Sequence, residues 1–360
     1  MSDVQQIRPG WILGRLGDAL IFTGPILLAL ALIAYADARG VLYAGMPLWM
    51  FALLIVACDV GHVYATAFRV YLDPARFRKR PGLFVGVPLA CFALGVVAYG
   101  FGGDFFWRAL AYLAAWHFVR QQWGWVAFTR AKAGEGTVDR RLDQAVIYAV
   151  TLYPLLFWHA HLPRAFHWFR EGDFVALPAW IALAGAVVHW SIVGAFALRQ
   201  LQHAASGRGF NLAKIQVVFT TWIAWYGGIV VLDSDIAFTA LNVLSHAIPY
   251  LVVVWTVERR HGERERTPLA RWFAPRFVAP LLGVLVLVGY AEEWLWDSLV
   301  WQDHAGLFPG AEAVGLGPLP AAALGILVPL LAVPQATHYV LDGWLWRRKE
   351  HTDLTPLFQR

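Results

Sequence analysis

Four histidines lie in apolar surroundings, each accompanied by acids, amides or hydroxyls at helical spacing. Asp59, His62, Thr66 and Arg69 follow one another at steps of three, four and three. His117 is joined by Arg120, Gln121 and Gly124. Asn242, His246 and Tyr250 recur every four positions, and Gln335, His338 and Asp342 at three and four. Residues three and four apart share a helix face, so each set forms a polar stripe. Neutral imidazole is the commonest protein metal ligand, and carboxylates complete the shell or orient the rings.

The stripes therefore predict a buried transition-metal centre with His62, His117, His246 and His338 as ligands. Iron or copper suits such a donor set best, and zinc is compatible; the lack of thiolates in the stripes argues against an iron–sulfur cluster. Haem fits less well, because stripes rich in Arg, Gln and Asp fill the slot it needs. Asp59, Arg120 and Asp342 are the catalytic candidates. The acids would carry protons, and Arg120 would pair with one of them or with an acidic substrate head group. Gln121, Asn242, Tyr250 and Gln335 are expected to surround the centre as hydrogen-bonding partners. His189 stands alone on its segment and is expected to hydrogen-bond a neighbouring helix. His159-x-His161, with His167 nearby, has a spacing that can chelate a metal, but it sits at a wet helix end among aromatic residues, where histidine costs little and no ligand role is required. His203, His261, His304 and His351 are expected to be solvated in loops or tails.

The elements that position these residues follow from composition. Of 360 residues, 59% are hydrophobic and 15% charged, with 19 Trp and 12 Tyr; mean hydropathy is +0.53. Such a chain is neither disordered nor an ordinary soluble enzyme. It is predicted to be an all-α integral membrane protein, a polytopic bundle forming a single transmembrane domain over residues 1–360. Ten apolar stretches approach the roughly 20 residues needed to cross a bilayer: Ala19–Ala36, Pro47–Val70, Leu83–Gly100, Asp104–Thr129, Leu142–Trp158, Pro178–Leu198, Ile215–Val231, Ile236–Glu258, Phe277–Tyr290 and Leu319–Trp346. Phe308–Pro318, rich in Gly and Pro, is predicted to be a loop.

Charge placement orients the bundle. With ten spans, 24 of the 29 Lys and Arg fall on one face and three on the other, which puts both termini in the cytoplasm. The first span ends Ala34-Tyr35-Ala36, a pattern also seen at signal-peptide cleavage sites; it is taken here as an uncleaved helix. The net charge of +5 sits at helix ends, so its partner is anionic lipid rather than nucleic acid. Ionisable groups concentrate in the even-numbered spans. Counted from the charged residue at each inner helix end, five histidines, His189 included, fall within a slab about 9 Å thick at roughly 1.5 Å per residue. Even helices inside and odd helices outside is the simplest arrangement that joins the stripes. Pro249 and Pro334 should each free a backbone carbonyl beside the polar residues.

The chain lacks the His-x-x-x-His and His-x-x-His-His boxes of membrane desaturases and hydroxylases. Its His-rich, multi-pass style is similar to that of the bacterial carotene-cleaving dioxygenases, without a motif match residue by residue. Asn242 and His246 share only composition with the membrane-bound O-acyltransferases. No P-loop or dinucleotide-type glycine motif is present. The functional expectation is an integral-membrane metalloenzyme, an oxidoreductase or oxygenase acting on a lipid, isoprenoid or quinone. The alternatives are a proton-coupled transporter using the same His and Asp residues, a haem-binding electron carrier, and a purely structural protein.

Overall fold

The computed structural model describes residues 6–308 and 319–346. Among these residues the protein is entirely helical, with ten long helices. Helix α1 spans Arg15–Ala38, α2 Leu48–Arg69, α3 Pro81–Gly100, α4 Gly103–Ala133, α5 Arg140–Ala160, α6 Ala179–Ala205, α7 Leu212–Val231, α8 Asp235–Glu265, α9 Pro275–Trp301 and α10 Ala321–Leu345. All but α4 and α5 are long and apolar enough to cross a membrane, which makes eight candidate spans. Helix α4 is 31 residues long but carries Arg108, His117, Arg120, Gln121 and Gln122 along its middle. Most of the loop expected at Phe308–Pro318 and the tail holding His351 lie outside the described residues.

The interior is organised around α8, of whose most apolar stretch 78% is buried. Helices α1, α2 and α7 pack directly against it; α10 packs against α2, α3 and α4. The alternation of inner even and outer odd helices does not hold throughout. Helix α6 is peripheral, only 17% of its apolar stretch being buried, whereas α7 reaches 50%. Composition explains the exchange. Apart from His189, α6 is apolar all round in its middle and can face lipid. Helix α7 carries Lys214, Gln216, Thr220, Thr221 and the Gly227–Gly228 pair, which require protein neighbours. Helix α9 also departs from expectation. It continues past Tyr290 and buries Glu292, Glu293 and Asp297, so an odd helix does carry acids in its interior.

Two local features shape α2 and α10. Ala52–Val60 of α2 is π-helical, an i→i+5 winding that ends just before His62. In α10 the α-helix is interrupted at Ala332, two residues before Pro334, where proline removes a backbone donor. Helix α8 passes through Pro249 without a break. Helix α9 fits against the π-helical stretch through glycine: a Cβ on Gly289 would stand 2.7 Å from the Val56 carbonyl oxygen and 3.2 Å from the Gly61 nitrogen. Gly289→Val should therefore force α9 away from α2, at a cost of about 1–3 kcal/mol. Thermal unfolding of the detergent-purified variant reads this as a lower Tm; an unchanged Tm would show that the contact is not tight.

At one end of the bundle, buried ion pairs lock the helices that carry the polar stripes. Arg69 of α2 is 3.4 Å from Glu258 of α8 and stacks 4.4 Å from the Trp346 ring. Arg76 also donates to Glu258, at 2.7 and 2.8 Å. A second network joins α4, α5 and α7: Arg130 donates to Asp143 and Glu135, and Lys214 to the same two acids. Each buried charge in these sets has an opposite partner, as a medium of low polarity requires.

Candidate metal centre

His62 from α2, His117 from α4, His246 from α8 and His338 from α10 converge, as their stripes predict. All four side chains are buried, and one ring nitrogen from each lies within 4.8 Å of the other three. Ring centroids of neighbouring members are 4.7–5.1 Å apart. An ion about 2.1 Å from each nitrogen would set neighbouring nitrogens about 3.0–3.4 Å apart and opposed ones about 4.2 Å apart. The His62 Nε2–His246 Nε2 distance of 3.1 Å falls in the first range, and the 4.8 Å limit on the whole set stands somewhat above the second.

The hydrogen bonds around the rings select which nitrogen faces inward. His62 Nδ1 is 3.1 Å from the Cys58 carbonyl oxygen. A carbonyl only accepts, so Nδ1 carries the proton and Nε2 keeps its lone pair. That Nε2 lies 3.1 Å from His246 Nε2. His338 is set by a longer chain. Its Nδ1 is 2.7 Å from Thr66 Oγ1, Thr66 Oγ1 is 3.0 Å from the Tyr250 hydroxyl, and Tyr250 donates to Asp342 Oδ1 at 2.9 Å. Tyr250 spends its proton on Asp342, so Thr66 donates to Tyr250 and His338 Nδ1–H donates to Thr66. His338 Nε2 is left as a bare lone pair. His246 is held by stacking on Phe118, with centroids 3.6 Å apart and planes within 6°.

Within this set, three ring nitrogens are buried without a hydrogen-bond partner: His117 Nε2, His338 Nε2 and His246 Nδ1. Unpaired buried polar atoms are costly and rare, and a cluster of them calls for an unaccounted partner. A cation shared by the four imidazoles would satisfy the nitrogens of His117 and His338 together. The donor set thus fits a transition metal. The rings stand too close to one another to admit the plane of a haem between them.

The other predicted residues divide into those that join the centre and those that do not. Tyr250 and Asp342 join it through Thr66, which lies on the predicted stripe but drew no assigned role from sequence. Gln121 lies beside it and donates to the His246 carbonyl at 3.3 Å. Asp59 is peripheral. Its carboxylate stays 3.9 Å from His62 Nδ1 and its side chain is 31% exposed, because the π-helical winding rotates it off the face that α-helical spacing predicts. It neighbours Glu292, which also engages Tyr64 and accepts from Trp296 Nε1 at 3.2 Å. Arg120 pairs with neither Asp59 nor Asp342. It is exposed and donates to the Tyr148 hydroxyl at 2.6 Å. Asn242 donates to the Phe238 carbonyl in its own helix at 3.0 Å and packs against Gly228 of α7, which turns it away from the histidines. Gln335 is buried one turn before His338 and makes no hydrogen bond to the four rings among the described residues.

Six other histidines among the described residues contact protein groups outside the centre. His189 Nδ1 donates to the Ala149 carbonyl of α5 at 2.9 Å, as a lone intramembrane histidine should. His159 bonds Tyr112 and the Leu155 carbonyl, while His161 bonds the Phe157 carbonyl, so the two do not chelate. His203 and His261 are not solvated. Both lie on helices and pair with acids: His203 with Asp139 at 3.0 Å and His261 with Asp73 at 3.1 Å. His304 stacks on Phe51.

A cavity of about 320 Å³ opens beside the centre between α4 and α10. His117, Tyr250 and Asp342 form its polar end, and Trp123, Phe128 and Trp346 its walls. Gly124 and Gly343 also line it, and a Cβ at either would meet open space. Arg120 lines the same cavity. Compared with known proteins, the chain matches no family model, no curated protein and no solved structure.

Proposed function

We propose that the protein is an integral-membrane metalloenzyme that oxidises or oxygenates a lipophilic substrate — a lipid, isoprenoid or quinone — at the four-histidine centre, with iron or copper as the metal. The observation that carries this reading is the convergence of four buried imidazoles, with His117 Nε2 and His338 Nε2 left without hydrogen-bond partners among them. Uncharged nitrogen donors suit iron, copper or zinc, and of these iron and copper change oxidation state. Such a metal, when bound, supplies electron transfer or dioxygen chemistry. The polypeptide supplies the rest.

In this reading α4 and α5 also lie within the bilayer, making ten spans with both termini cytoplasmic as the charge asymmetry predicts. The cavity between α4 and α10 admits the substrate sideways from the bilayer. Its aromatic walls exclude water from the apolar part of the substrate, while Tyr250 and Asp342 present a hydroxyl and a carboxyl next to the reacting end. Tyr250 and Asp342 are placed to pass a proton between cavity and centre. Arg120 is placed to hold an anionic head group, since its present partner Tyr148 is neutral.

The two glycines give a test that leaves the histidines untouched. The space beyond Gly124 and Gly343 is open, so a phenylalanine at either position fills the entrance instead of distorting the helix. Gly343→Phe should keep its full metal content and lose at least about tenfold in metal-dependent oxygen uptake, measured with membrane lipid extract as substrate source. Uptake at the native rate would show that substrate does not enter there, and absence of uptake in the metal-loaded native protein would remove the oxygenase reading.

A further inference from the structure

A second cavity, of about 280 Å³, lies between α2, α8 and α9, and the reading of the metal centre makes no use of it. Phe68, Leu251, Phe273, Leu282 and Leu285 line it together with the Trp255 ring. An apolar cavity offers water too few partners to hold it, and the outer side of α9 is exposed hydrocarbon, with Leu282, Val284, Val286, Leu287 and Val288 all accessible. The chemistry that suits this space is an alkyl chain.

Its surroundings specify the head group. Phe273 ends the short 3-10 helix Pro268–Phe273, and Val278 begins the α-helical part of α9. Both line the cavity, so Arg271 and Arg276 stand within two residues of its wall. Both guanidinium groups are exposed and neither has an acidic partner among the described residues. Each lies only over the aromatic ring next to it, Arg271 at 6.0 Å from Trp272 and Arg276 at 5.1 Å from Phe277. The Trp255 indole N–H, also in this wall, is buried with no acceptor. Free guanidinium groups, an unpaired N–H and a dry alkyl slot together match the phosphate, ester carbonyl and acyl chain of a phospholipid. Basic pockets between membrane helices select lipids of net negative charge.

We propose that this cavity is a binding site for an anionic phospholipid, with one acyl chain between α2, α8 and α9, its phosphate on Arg271 and Arg276, and an ester carbonyl accepting from Trp255. The site is independent of the metal centre and does not rest on the function assigned to it.

Native mass spectrometry of the full chain, mixed with equal amounts of phosphatidylglycerol and phosphatidylcholine of the same acyl chains, tests it. The native protein should retain phosphatidylglycerol at least about tenfold in preference, given the contribution of two basic residues near a phosphate. The R271Q/R276Q variant should lose that preference while still retaining lipid without charge selection. Leu282→Trp, which fills the slot, should lower retention of both lipids. Equal retention of the two lipids by the native protein overturns the head-group assignment, as does an unchanged preference in R271Q/R276Q. Undiminished retention in Leu282→Trp overturns the acyl-chain assignment, and a protein that buries this face in a dimer while retaining no lipid overturns both. Circular dichroism of the same samples shows whether each variant has kept its fold.

Discussion

The His62→Ala/His338→Ala double variant is expected to fold and insert as the native protein does, and to hold no transition metal. Removing the two side chains takes away two of four ligands from two different helices. The loss in affinity should exceed the roughly 100-fold that outer-shell changes alone can cost. Stability points the same way as binding. His338 Nε2 has no partner in the protein, so truncation there removes an unsatisfied buried atom as well as a ligand, and the helices are separately fastened by Arg69, Arg76 and Glu258. Elemental analysis beside the native protein reads the metal, and circular dichroism reads the helices. Native-like metal content in the double variant would mean that the metal, if bound, sits elsewhere. A variant that has lost its helical signal would show instead that the rings are needed as packing.

Thr66→Val is the second variant with a large expected effect, although Thr66 touches no metal. The substitution keeps volume and β-branching and deletes one hydroxyl. His338 Nδ1–H then faces no acceptor within hydrogen-bonding reach, since Asp342 Oδ1 is 3.9 Å away. The ring is free to rotate or to move its proton to Nε2, where it blocks the ligand lone pair. Metal affinity should fall about 10–100-fold, the range for partners that orient a ligating histidine. Thr66→Ser should restore most of it. Competition against a chromophoric chelator measures both. An affinity for Thr66→Val within twofold of native, or a Thr66→Ser no better than Thr66→Val, would show that the Thr66–Tyr250–Asp342 chain does not set the ring.

The site was more legible in the sequence than the layers around it, and the reasons are local. His62, His117, His246 and His338 each lie on an apolar helix where an imidazole is expensive, and helical spacing ties Tyr250 to His246 and Asp342 to His338. Asp59 escaped the same argument because residues 52–60 wind as a π-helix, which no composition rule announced. Asn242 satisfies the spacing equally well but bonds its own helix, so a shared face was not enough. Glu292 and Glu293 were missed because the apolar run of α9 ends at Tyr290, while the helix itself continues through aromatic residues to Trp301. The exchange of α6 and α7 was invisible to a count of ionisable groups. What keeps α7 inside is small and hydroxyl-bearing residues, which cost little in a hydropathy sum and decide which faces can pack.

The most direct test of the central claim is X-ray absorption spectroscopy of the protein purified from metal-replete cells. The proposed function predicts about one equivalent of iron or copper, with close to four imidazole nitrogens at about 2.1 Å and no sulfur in the shell. A protein that binds no metal under these conditions, or one whose metal is surrounded by oxygen or sulfur without imidazole scattering, would contradict the assignment of His62, His117, His246 and His338 as a metal centre.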